Sequence, residues 1–162
     1  MFQTPLDVRQ IGWRDGRPVW LTLAPLRYHS ASLDLSIQIP PEFITDTASV
    51  PRFPLAYLLA GGKGNRSAVI HDFPYQFGFW ILEDGTKYVV KKKKTADNVF
   101  YESLLVDPMS GTSASDAYLM WSFVRTFGRG HWHEEERKIE LNPEWSKEGI
   151  LLDSGTLVQA GD

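Results

Sequence analysis

His71 and Asp72 stand side by side, Tyr75 follows three residues on, and Asp97 lies in a later segment of helical character. These are residue types from which a water-activating site is assembled. Histidine is the natural base because it titrates near neutrality. A carboxylate can orient the imidazole through its other nitrogen, and a second carboxylate can hold a cation. On a helix, His71 and Tyr75 share a face at i,i+4, whereas His71 and Asp72 diverge by about 100°. The pair cannot act on one atom from the same side, but it can flank a substrate, the histidine holding a water and the carboxylate a cation. The same residues are also what a core uses to satisfy its own buried polar groups.

Other clusters carry less. Asp46, Ser49 and Arg52 surround Pro51, and side chains of the Asp and Ser type bond local backbone, so a structural turn is expected. The sharper alternative, a Ser49 nucleophile with His71 as base, lacks a Gly-x-Ser-x-Gly elbow. His131 and His133 share one side of an extended segment, but two ligands fall short of a metal site. Lys91 to Lys94 is the one strong charge run. It reads as a solvated strand edge or loop, with phosphate head groups or nucleic acid as the other reading.

The elements that must position these residues can be read in outline. Asp15-Gly16 supplies the positive φ of a tight hairpin. Leu33, Leu35, Ile37 and Ile39 alternate with Asp34, Ser36 and Gln38, the pattern of a half-buried strand that ends at Pro40-Pro41. An extended run over 18–28 puts Val19, Leu21 and Leu23 on one face, with Trp20 and Thr22 on the other. A short helix over 54–59 and a loop at Gly61-Gly62-Lys63-Gly64 follow. Helix then starts near Arg66, with Pro74 expected to interrupt or kink it. Glu83 to Thr86 marks a turn, and 87–90 a short strand. Thr95 is placed to cap a helix reaching Val106, stopped by Asp107-Pro108. Ser113 or Ser115 caps a third helix to about Phe127, with Tyr118, Met120, Trp121 and Val124 available for burial and Gly128 as its stop. The fold class is α+β: an N-terminal antiparallel β-sheet, about three helices and an extended C-terminal arm. Residues 1–130 form a single domain, and 131–162 an arm suited to docking on a partner.

The chain has 162 residues, 13% aromatic with six Trp, and a net charge of −3. That length supports one core, and that charge gives no basic field for nucleic acid. No cysteine is present, which excludes disulfides and thiolate metal sites and fits a reducing cytoplasm. No signal peptide is visible, and no apolar run approaches the roughly 20 residues of a membrane span.

Two resemblances add to this reading. Phe-x-Thr-Asp-x-Ala-Ser-Val-Pro-Arg at 43–52, Ala-x-x-His-Asp-x-x-Tyr at 68–75, Ala-Asp-x-x-Phe at 96–100 and Phe-Gly-x-Gly-x-Trp ending at Trp132 resemble a small uncharacterised family of phage and prophage proteins. That resemblance implies a phage context without an activity. A shorter one is to phospholipases of the A-two type, which carry a Gly-rich calcium loop, a His-Asp-x-x-Tyr helix and a second helix with Asp followed by an aromatic. It implies His71 as the water-activating base, Asp97 and Tyr75 as its orienters, and Asp72 with carbonyls of Gly62 and Gly64 as calcium ligands. The chain departs from that pattern in its lack of cysteine, in Pro74 inside the motif, and in a sheet that precedes the helices.

Two functions are therefore expected. One is a calcium-assisted ester hydrolase of phospholipase-like type, acting on a lipid or other envelope ester of the host. The other is a noncatalytic virion component of tail or baseplate, partnered by other virion proteins, in which the His/Asp/Tyr set is a structural network. Both place the chain in the host cytoplasm during assembly, and the second also in the particle.

Overall fold

Alternation, turns and buried apolar runs build two antiparallel sheets and three helices in the computed structural model, which describes residues 1–14, 17–45, 64–128 and 132, and the backbone of 150–151 and 157–158. The Asp15-Gly16 turn, the Asp46/Ser49/Arg52 cluster, the helix over 54–59, Gly61 to Lys63, His131, His133 and most of the arm lie outside the described residues. β1 (Val8–Arg14) pairs with β2 (Arg17–Thr22), and β2 with β5 (Ile44–Thr45), in a three-stranded sheet. The second sheet has the order β3 (Leu26–Ser30), β4 (Leu35–Ile39), β6 (Phe79–Leu82), β7 (Lys87–Val89). The helices are α1 (Asn65–Phe77), α2 (Lys93–Val106) and α3 (Ala114–Phe127). A small hairpin, β8 (Ile150–Leu151) with β9 (Leu157–Val158), lies in the arm. The α+β class and the antiparallel N-terminal region are as the sequence implies. Among the described residues no helix is long and apolar enough to cross a membrane.

α1 is the central element. Every residue from Ser67 to Phe77 is buried, so it presents no polar face and its sequence carries no narrow apolar stripe. Phe73 and Phe77 pack against Phe43 and Phe79. Pro74 does not end it. A proline lacks the N–H that would bond the carbonyl four residues back, here that of Ile70. The Trp80 indole donates to Ile70 O instead, at 2.9 Å, so the carbonyl is satisfied and the helix runs on to a left-handed stop at Gly78.

Several local expectations are corrected. Phe79–Leu82 is a strand, placed between β4 and β7, so part of the sheet follows α1. The run over 18–28 is two strands. Thr22 is fully buried and Leu23 is 44% exposed, because the Thr22 hydroxyl donates to Pro40 O and accepts from Phe43 N. Leu33 belongs to the turn before β4. Thr95 is not the cap of α2: Lys92 holds that position, and Thr95 N donates to Lys92 O. Of the residues expected to be buried on α3, Met120 and Val124 are, Trp121 is half-buried and Tyr118 is exposed; Ala117 is buried as well. Ser113 does cap α3, in a reciprocal box with Asp116.

Candidate functional site

Asp97, on the first turns of α2, is fully buried and gathers donors from all three helices. Its Oδ1 accepts from His71 Nε2 at 3.0 Å and from Tyr75 Oη at 2.6 Å, both on α1. Its Oδ2 accepts from Lys93 Nζ at 2.9 Å, one turn back on α2, and from Arg125 Nη1 at 2.9 Å on α3. Lys93 also donates to Val124 O at 2.5 Å, near the C-terminal end of α3. The i,i+4 spacing of His71 and Tyr75 puts both on the face of α1 that meets α2, with ring centroids 4.2 Å apart. The Phe100 ring lies 4.8 Å from the imidazole.

The electrostatics follow from burial and partners. Burial pushes the Asp97 carboxyl up, but the hydrogen bond and charge of His71, with hydrogen bonds from Tyr75 and Lys93, outweigh it. Asp97 is thus held well below the usual carboxylate range and stays ionised. Burial is the largest effect on His71 and lowers its proton affinity; the hydrogen bond to Asp97 and its charge oppose this, and Lys93 adds to the lowering. Burial, then the charge and hydrogen bond of Asp97, raise the Tyr75 phenol, so it remains a donor. An ionised carboxylate on Nε2 places the hydrogen of the neutral ring there and leaves the lone pair on Nδ1.

Asp72 points elsewhere on α1. Its Oδ2 accepts from Thr45 Oγ1 of β5 at 2.6 Å, and Gln76 Nε2 donates to Ile44 O on the same strand at 3.3 Å. Gly64, left-handed at φ 71, caps α1, and its carbonyl accepts Ala68 N. Gly62 lies outside the described residues. Carboxylate and hydroxyl oxygens are the donors a calcium ion takes, so Asp72 and Thr45 fit that ion in kind. Among the described residues no group of three or more His, Cys, Asp or Glu is placed to hold a metal ion.

The structure therefore brings together His71, Tyr75 and Asp97, with Asp72 beside them on a separate face. The sequence reading missed Lys93, Arg125 and Thr45. Lys93 was legible, since it stands four residues before Asp97 on one helix; the other two come from distant elements. Lys91, Lys92 and Lys94 are exposed, but Lys93 turns inward. Two described residues beyond α3, Gly128 and Trp132, border the cluster. Trp132 packs edge-on against Tyr75, centroids 5.0 Å apart, and its backbone N–H donates to Gly128 O. A Cβ at Gly128 would stand 2.9 Å from Tyr75 Oη and 3.1 Å from Lys93 Cε. Gly128 has ordinary helical backbone, φ −71, so its glycine provides room rather than a special conformation.

A family model described as "Protein of unknown function (DUF1353)" matches residues 20–124, a stretch that contains the second half of β2, strands β3 to β7, α1, α2 and most of α3. No curated protein and no solved structure matches the chain.

Proposed function

For this chain, which belongs to that family, we propose an ester hydrolase in which His71 is the base, with the noncatalytic virion role as the second reading. The observation that carries the first is the double acceptance at Asp97 Oδ1, from His71 Nε2 and Tyr75 Oη. It fixes the imidazole and its tautomer, and it leaves Nδ1 as the proton acceptor. A water oxygen attacks the ester carbonyl while Nδ1 takes its proton. The buried, ionised Asp97 stabilises the imidazolium, which returns the proton to the departing alkoxide. Asp72, with Thr45, would hold calcium, and a bound cation supplies polarisation of the carbonyl and stabilisation of the charge that develops on its oxygen. The motif set from Phe43 to Trp132 supports a phage setting, with a lipid or other envelope ester of the host as substrate.

The test is turnover of a broad ester panel by the full chain with calcium. His71→Gln should abolish it while near-UV circular dichroism stays native. A blank panel for the wild-type protein sinks the hydrolase reading. The second reading is favoured by a different observation: His71, Asp72, Tyr75 and Asp97 are each at most 2% exposed, as in a network that pins helix to helix. It expects the chain at fixed stoichiometry in purified particles, measured by mass spectrometry.

A further inference from the structure

Ser67 is fully buried on α1, yet its hydroxyl has no hydrogen-bond partner among the described residues. Other helical hydroxyls here fold back onto their own helix: Ser103 onto Phe100 O, Ser122 onto Tyr118 O and Thr126 onto Ser122 O. A buried hydroxyl left without a partner loses its hydration with nothing in return. Such a group points to a ligand small enough to reach it.

Its position says which ligand. Ser67 stands one turn before His71, so the two are i,i+4 neighbours on one face. Helical side chains lean toward the N-terminus, which carries the imidazole over the turn that holds Ser67. Nε2 of that imidazole is committed to Asp97. The unpartnered hydroxyl and the imidazole nitrogen that is not bonded to Asp97 are therefore on one face of the helix.

We propose that Ser67 Oγ and His71 Nδ1 together hold the water that attacks the ester, a proposal that rests on the hydrolase reading. The water donates one hydrogen to Nδ1 and the other to Oγ, which leaves its lone pairs to attack the carbonyl carbon. In the step, an O–H bond of the water breaks, its proton passes to Nδ1 and a C–O bond forms. Ser67 keeps its own proton and forms no bond to the substrate.

A high-resolution crystal structure of the full chain decides the binding claim without any assay. The expected result is an ordered water within hydrogen-bond distance of both Ser67 Oγ and His71 Nδ1, lost in Ser67→Ala. A Ser67 hydroxyl bonded to a protein group, or no water there, overturns the proposal. In turnover, Ser67→Ala should lower kcat by on the order of 10²-fold with KM nearly unchanged, the signature of a mispositioned reactant. An unchanged kcat overturns it, and so does a burst with an acyl group found on Ser67, which would make that residue the nucleophile. If the wild-type chain turns over no ester but the water is found, the hydrolase reading alone has failed.

Discussion

At the scale of single residues, the cluster is organised by one carboxylate rather than by the histidine that draws the eye in the sequence. Among the described residues, Asp97 is the only carboxylate paired with Lys93 and Arg125, and each of its oxygens takes two donors. Removing its charge leaves two cations held against a largely dry site, while removing one donor leaves the rest paired. The two lesions should therefore differ in size. Asp97→Asn should lose roughly 3–5 kcal/mol, as when a buried ion pair loses one partner. Tyr75→Phe, which deletes one hydrogen bond, should cost about 1–3 kcal/mol. Urea unfolding of the two variants checks this, and equal losses would show that Lys93 and Arg125 are well served by solvent. The sequence exposed His71, Tyr75 and Asp97 through spacing and residue type. It could not expose Arg125 or Thr45, because their partnership depends on how α3 and β5 dock.

At the scale of elements, Pro74 and Trp80 explain where the sequence could be read and where it could not. Proline inside a helical pattern signals a break, and that signal was real: one carbonyl, that of Ile70, loses its ordinary donor. The repair comes from the first strand after the helix, through a side chain whose hydrogen bond depends on the turn at Gly78. β6 itself is Phe-Trp-Ile-Leu, an unbroken apolar run that lacks alternation because it is buried nearly throughout, and such runs do not announce strand over helix. β4, half-buried with Ile37 and Ile39 inward, alternates and was legible. The Pro74–Trp80 linkage predicts non-additivity. Trp80→Phe should destabilise by about 2–3 kcal/mol, from the lost bond and the smaller ring together. In a Pro74→Ala background, where residue 74 regains an N–H for Ile70 O, the hydrogen-bond part of that loss should vanish. A double-mutant cycle by equilibrium unfolding reads the coupling directly. Additive losses would mean that the indole bond contributes nothing.

At the scale of the whole molecule, His71, Asp97 and Glu102 all tilt stability the same way as the solution is acidified. His71 has its proton affinity lowered from an ordinary value of 6.5 by burial first, with Asp97 opposing and Lys93 assisting; the Tyr75 ring packs against it, and Arg125 reaches only the far oxygen of Asp97. A depressed folded-state value means that the unfolded chain takes up a proton before the native one does. The stability this group contributes is thus complete above pH 6.5 and is lost as pH falls below it. Asp97 lies below its ordinary 3.8, and Glu102 below its ordinary 4.5, because hydrogen bonds outweigh the burial of each carboxyl. Glu102 accepts from Tyr28, Ser30, Ser32 and two backbone N–H groups, and so ties α2 to the turn between β3 and β4. Both carboxylates contribute stability that is present above those values and lost in more acid solution. Urea unfolding across pH should therefore show two declines, one starting near pH 6.5 and a steeper one below about pH 4.5, each limited to about 1.4 kcal/mol per pH unit per proton. His71→Asn should flatten the first and leave the second. The slope is the readout rather than the stability, since the substitution also disturbs packing beside Phe100. An unaltered first slope in the variant would place that titration elsewhere in the molecule and remove His71 from the acid response.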